Sequence, residues 1–282
     1  MNLYVLEDSD AGRAYLNEYL TTCNPKYLSY DYYPSYTAAY NTAYFKGLEL
    51  ARNAGIPFWA HLTAGGIFDD KATDVKNELP TRSQFLWNVN TTLAYGAKGL
   101  QYFPMIQPPY YSIVSKDENG NVTAQDFDRN GLIAADGSKT KWYDYAVDAN
   151  KWVAKVDGIL MNAVSEDVIV YGNGAKLSTG KNSSEYINDA GEKLATVSGA
   201  NAIVGVFSYN GKTVYYVVNY NYDGTSDAST KQDIILTFNE NKNVTVYNSA
   251  TVDEQPTTGS TTNKAITLSV EKGGAALVVV ND

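Results

Sequence analysis

The stretch Leu93-Ala94-Tyr95-Gly96-Ala97-Lys98-Gly99-Leu100-Gln101-Tyr102-Phe103 decides the fold class. Before it, Thr81 to Tyr95 has helical spacing, with Thr81 as N-cap after Pro80 and Gly96 at the C-terminal end. After it, Gly99 to Met105 is a short apolar and aromatic run that reads as a strand. A helix that stops on glycine and feeds a strand is the repeating unit of a parallel sheet with helices outside.

The same unit recurs upstream. Asn2 to Leu6 reads as a short strand, and Ala11 to Cys23 as a helix with Asp8 and Asp10 as candidate N-caps. Tyr27 to Tyr33 is a strand stopped by Pro34. Thr37 to Ala54 is a helix ended by Gly55, and Ile56 to Thr63 a strand released into Ala64-Gly65-Gly66. Downstream of Met105 comes a polar loop, then a helix from Ser138 to Leu160. Strand–helix repeated four times is half of an eight-stranded (β/α) barrel.

Past residue 160 the helical period disappears. Strands are expected at Asp167–Tyr171, Lys193–Ser198, Ala202–Tyr209, Thr213–Tyr220, Asp233–Phe238, Val244–Asn248, Ala265–Val270 and Ala275–Val280. Asn210-Gly211 is a type I′ hairpin signal. Short strands at regular spacing with Gly/Asn/Asp/Ser/Thr turns indicate an antiparallel β-sandwich. The expected fold is therefore α/β plus all-β: a partial TIM-type barrel over 1–160, then a sandwich over 161–282.

Composition narrows the chemistry. The 282 residues carry 22 Lys+Arg against 31 Asp+Glu, a formal charge of −9 that argues against nucleic acid or an anionic membrane as partner. One His, His61, and one Cys, Cys23, exclude Cys₄ or Cys₂His₂ zinc sites and any intrachain disulfide, so no metal or cofactor is expected. The beginning of the chain lacks the basic and apolar regions of an export signal, and no window has the apolar length of a membrane span. The expectation is a soluble chain whose export signal, if it has one, lies outside it.

In parallel α/β folds ligands sit at the C-terminal ends of the strands. That rule nominates Tyr4, Leu6, Asp31, Tyr32, Tyr33, Pro34, Trp59, His61, Thr63 and Phe103 to Gln107, with Asp69, Asp70, Tyr110 and Tyr111 in the loops beyond, and Tyr102 joins them as a strand-end tyrosine. Asp31 stands in an otherwise apolar and aromatic strand, where a charge is costly without hydrogen bonds. It reads either as a hydroxyl ligand or catalytic acid/base, or as a residue fixing a neighbouring loop. His61 alternates with Trp59 and Thr63 and reads as a sugar-orienting or proton-shuttling side chain, or as a satisfied structural one. Tyrosine is in excess, 24 beside 8 Phe and 4 Trp. Its flat apolar face and polar edge suit the C–H faces and hydroxyls of sugars. Tyr36, Tyr40 and Tyr44, at helical spacing, read instead as packing.

These residues carry a family resemblance. Tyr27-Leu28-Ser29-Tyr30-Asp31-Tyr32-Tyr33-Pro34 resembles the D-x-Y-P strand of (β/α)₈ glycoside hydrolases related to the β-galactosidases. Pro57-Phe58-Trp59 resembles the start of their seventh strand, and Leu93 to Phe103 the end of the following helix and the eighth strand. Asp136-Gly137-Ser138-Lys139-Thr140 resembles the G-x-x-T lead into the closing helix, and residues 160–282 the sandwich that follows such barrels.

The resemblance implies a carbohydrate ligand and a secreted or cell-surface bacterial setting. It also sets a register in which Met1 to Tyr4 matches the family's fifth strand. Strands one to four are then absent, and with them the general acid/base Glu of the fourth. The nucleophile Glu ends the seventh strand in that family, whereas Ala54 to Phe68 contains no Asp or Glu and has His61, Leu62 or Thr63 in that place. Three expectations follow: a hydrolase relative with Asp31 as its remaining catalytic carboxylate, a non-catalytic carbohydrate-binding module, or a half-barrel that pairs with a second copy through its open strand edges.

Overall fold

The computed structural model describes residues 3–4, 9–34, 42–65, 80–106, 114–125, 131–134, 136–172 and 194–281. The first part alternates strand and helix: β1 (Leu3–Tyr4), α1 (Asp10–Cys23), β2 (Leu28–Asp31), α2 (Thr42–Asn53), β3 (Phe58–Thr63), α3 (Arg82–Ala94) and β4 (Gly99–Phe103). The four strands form one parallel sheet in the order β1-β2-β3-β4. Local chemistry sets the helix ends. Ser9, not Asp10, caps α1 by accepting from the Gly12 N–H at 3.0 Å, and Asp8 lies outside the described residues. Thr81 and Gln84 form a reciprocal capping box on α3, which satisfies two otherwise orphaned groups.

The polar loop after β4 contains a hairpin that its composition conceals, β5 (Val114–Lys116) with β6 (Val122–Gln125). Then α4 (Lys141–Leu160) starts three residues later than the sequence pattern suggests, with Thr140 at its N-cap position. Among the described residues, no helix is long and apolar enough to cross a membrane.

The remaining strands are β7 (Val164–Tyr171), β8 (Thr196–Gly199), β9 (Ala202–Tyr209), β10 (Lys212–Asn219), β11 (Lys231–Thr237), β12 (Asn243–Asn248), β13 (Thr257–Ser260), β14 (Ala265–Glu271) and β15 (Ala275–Val280). They make a six-stranded sheet, β13-β12-β15-β10-β9-β7, and a three-stranded one, β14-β11-β8, both antiparallel. Asn210 and Gly211 both have positive φ, 50° and 78°, and join β9 to β10 as a two-residue turn should.

Strand alternation gives the six-stranded sheet two buried faces. On β10, Val214, Tyr216 and Val218 join the core shared with the helices. Tyr215 and Val217 face the other way, into a second apolar layer shared with Ile234, Leu236, Leu268 and Val270 of the three-stranded sheet. The first core is continuous from Leu3 on β1 to Val279 on β15.

Between the parallel sheet and the six-stranded sheet lies α3, buried over Ser83–Ala94 although half of that stretch is polar. Its polar groups are spent on neighbours. Asn88 Oδ1 accepts the Thr63 N–H at 2.9 Å, and Asn88 Nδ2 donates to the Tyr44 hydroxyl at 2.9 Å. Asn90 Nδ2 donates to the Gly273 carbonyl at 2.8 Å. Ser83 Oγ accepts the Asp223 N–H at 2.9 Å. Arg82 at its start pairs with Asp148 of α4 at 3.2 Å and Glu271 of β14 at 3.1 Å. Two glycines make this close packing feasible: a Cβ on Gly205 of β9 would strike the Ala94 carbonyl, and one on Gly273 the Ser83 carbonyl.

Candidate functional site

The two faces of the parallel sheet differ. Leu28, Tyr30, Phe58, Ala60 and Leu62 are buried in the core under the helices. Ser29, Asp31, Trp59, His61, Thr63, Gln101 and Phe103 alternate with them and lie on the opposite face, as strand pleating requires. Register places them in rows. Tyr4 pairs with Asp31, and His61 with Gln101. Ser29 pairs with Trp59 and Tyr30 with Ala60, so the next step sets Asp31 beside His61. Tyr4, Asp31, His61 and Gln101 thus form one row across four strands, with neighbours about 4.8 Å apart.

Thr63 and Phe103 pair one step further toward the C-terminal ends. Tyr33, two residues beyond Asp31, brings its ring to 6.0 Å from Phe103, which also lies 6.3 Å from His61. The Tyr33 hydroxyl is held well above its ordinary pKa by burial, with the Asp31 carboxylate adding to the effect. Phe103 is 47% exposed, so the rim of this cluster has an apolar surface open to solvent.

Three side-chain atoms in the cluster are shut off from solvent without a hydrogen-bond partner: Asp31 Oδ1, His61 Nδ1 and Thr63 Oγ1. Buried polar atoms are ordinarily satisfied, and leaving one unpaired costs about 1–3 kcal/mol. Three on adjacent positions of one face is a concentration of unmet hydrogen-bonding capacity. Thr63 is itself 5% exposed, and its backbone is fixed from beneath by Asn88. The arrangement is therefore held rigidly at β3 while its side-chain atoms stay unpaired.

Other nominated residues fall elsewhere. Trp59 shares the face but stands at the N-terminal end of β3, where it stacks on Tyr27 with centroids 4.5 Å apart and lies against Gly99. Four residues of strand separate it from Thr63, about 13 Å. Tyr102 belongs to the helix side. Its ring stacks on Phe85 at 5.7 Å and its hydroxyl donates to Asn150 of α4 at 2.8 Å, so it is a packing residue rather than a sugar-facing one. The strand-end rule selected it by position and ignored pleat parity. Leu6, Gln107, Asp69, Asp70, Tyr110 and Tyr111 lie outside the described residues.

Parity would have found two residues not nominated, Ser29 and Gln101. Gln101 Nε2 reaches over β3 and donates to Ser29 Oγ at 2.9 Å, forming a floor beside His61.

Among the described residues, no group of three or more His, Cys, Asp or Glu side chains could hold a metal ion. A cleft of about 190 Å³ opens between α3, α4 and the antiparallel strands, lined by Arg82, Asp148, Trp152 and Glu271. There the guanidinium is already paired with both carboxylates, which leaves little to recognise a ligand. The sheet face differs in carrying unsatisfied groups.

No family model matches the chain, and neither does any curated protein. Among solved structures it is similar to a GH30 endoxylanase from Clostridium papyrosolvens C71, with 15% identity and a TM-score of 0.40 over 95% of this chain and 52% of that one. The family 30 subfamily 8 xylanase Xyn30A from Clostridium acetobutylicum gives 13% identity and a TM-score of 0.41 over 98% and 54%. An alpha-fucosidase from Thermotoga maritima gives 9% and 0.36 over 96% and 56%. The chain spans about half the length of these structures. Likenesses at these TM-scores fix neither activity nor substrate.

Proposed function

We propose that this chain binds oligo- or polysaccharide on the open face of its parallel sheet, as a half-barrel relative of glycoside hydrolases followed by a β-sandwich, with the division near residue 160. The observation that carries the reading is the set of unpaired atoms Asp31 Oδ1, His61 Nδ1 and Thr63 Oγ1, flanked by Tyr33 and the exposed ring of Phe103. Sugar hydroxyls both donate and accept, and sugar C–H faces pack on aromatic rings. A saccharide that displaces the side chains over these atoms would satisfy them and cover the ring.

Binding is favoured over hydrolysis. Retaining and inverting mechanisms both require two carboxyl groups flanking the scissile bond. Among the described residues, Asp31 is the one carboxylate on this face. It therefore acts as a hydroxyl acceptor. A secreted or cell-surface bacterial setting fits such a ligand.

The test is calorimetric titration with neutral oligosaccharides alongside an aryl-glycoside assay. The reading predicts affinity that falls at least about ten-fold in Asp31→Ala and in Thr63→Ala, with no turnover. Turnover lost in Asp31→Asn would restore a catalytic Asp31. Absence of binding would remove the reading.

A second reading, pairing of two copies, is favoured by β1 and β4 having no outer strand partner among the described residues. Sedimentation as a strict monomer would exclude it.

A further inference from the structure

Among the described residues, no Lys or Arg forms an ion pair with the carboxylate on this face. The ion pairs of the described residues lie elsewhere: Arg13 with Asp10, Arg82 with Asp148 and Glu271, Lys141 with Asp227, Lys242 with Glu240 and Lys272 with Asp223. Lys98 is turned to the far side of the sheet, where it donates to the carbonyls of Leu160 and Ala163. The remaining described residues of the face are Ser29, Tyr33, Trp59, His61, Thr63, Gln101 and Phe103, none of them Lys or Arg.

A carboxylate oxygen can only accept. With Asp31 Oδ1 buried and unpaired, a fitting ligand must bring a donor, either a hydroxyl or a protonated amine. A uronic acid brings two further acceptor oxygens and a like charge. That repulsion disfavours a uronate by at least about ten-fold.

We infer that this face selects neutral and amino sugars and rejects uronic-acid sugars, with Asp31 as the residue that sets the discrimination. The inference rests on the saccharide reading and narrows it to a substrate class.

The test compares matched pentamers of one backbone by calorimetry: neutral β-1,4-glucan, its C2-amino counterpart and its uronic counterpart. The expected order is amino or neutral ahead of uronate by at least about ten-fold. In Asp31→Asn, whose fold is checked by its thermal midpoint, the gap between amino and uronate pentamers shrinks at least about ten-fold. Asp31→Ser replaces it should the amide not fold.

Uronate binding that equals or exceeds neutral binding overturns the inference and leaves the saccharide reading standing. An unchanged gap in a folded Asp31 variant overturns it equally, since overall charge would then be the cause. No binding to any series overturns the saccharide reading itself, and the inference with it.

Discussion

Tyr216 donates its hydroxyl hydrogen to Asn90 Oδ1 at 2.6 Å while accepting from the Trp152 indole N–H at 2.7 Å. Asn90 continues the chain to the Gly273 carbonyl. These links join β10, α3, α4 and the turn between β14 and β15 inside the core, where a fully satisfied polar network favours one packing over its alternatives. In Tyr216→Phe, Asn90 Oδ1 loses its donor and Trp152 Nε1 its acceptor, two buried vacancies worth about 1–3 kcal/mol each. Thermal unfolding should show a midpoint lower by several degrees with the fold retained.

Gly205→Ala drives a methyl group into the Ala94 carbonyl where β9 crosses α3, whereas Gly259 on β13 has open space at the same position. The first substitution should destabilise by about 1–3 kcal/mol, and Gly259→Ala should stay within about 0.5 kcal/mol. Denaturant midpoints at equal slope read the difference.

Buried tyrosines make the fold sensitive to alkali. Tyr30, Tyr44 and Tyr216 have hydroxyls whose pKa values are raised above 10 by burial; hydrogen bonds with Thr91, Thr92 and Asn88 at Tyr44 and with Trp152 at Tyr216 offset part of the effect. Their folded-state values exceed the unfolded ones, so the native state keeps protons that the unfolded chain would release. Stability is therefore complete below pH 10 and falls as pH rises toward the folded values, by up to about 1.4 kcal/mol per pH unit for each group. Denaturant titrations across pH 9 to 12 should show this loss, with tyrosinate absorbance from these residues appearing only on unfolding.

Lys98 donates to the carbonyls of Leu160 and Ala163, at 2.6 Å for the latter, and so satisfies the end of α4 from the turn before β4. Burial lowers its pKa. Lys98→Met removes both bonds and should cost about 1–2 kcal/mol, read as a lower thermal midpoint.

Much of the fold is written locally. The Thr81–Gln84 box, Gly55 and Gly96 after their helices, and Asn210-Gly211 between β9 and β10 mark boundaries that the structure reproduces within a few residues. The hairpin β5–β6 and strand β13 escape notice because Val114–Lys116, Val122–Gln125 and Thr257–Ser260 are polar or short, and tertiary pairing makes them strands. Helix α3 is legible as a helix but not as a buried one. Asn88, Asn90 and Thr92 look solvent-facing until their partners on β3, the β14–β15 turn and α2 are known. At the candidate site, the shared face of Asp31, His61 and Thr63 follows from strand ends plus alternation. Tyr102 fails because its parity turns it to the helices, and Ser29 with Gln101 appear only once register brings β2 and β4 to either side of β3.

The chain has one histidine, so its imidazole nitrogens give one unambiguous pair of NMR signals. The central claim is that saccharide hydroxyls satisfy Asp31, His61 and Thr63 together. Titrating the ¹⁵N-labelled protein with a neutral oligosaccharide should move the His61 Nδ1 resonance in a saturable manner, and Asp31→Ala should abolish that shift at the same concentrations. A His61 signal that stays fixed while calorimetry records binding would place the ligand elsewhere and contradict the account.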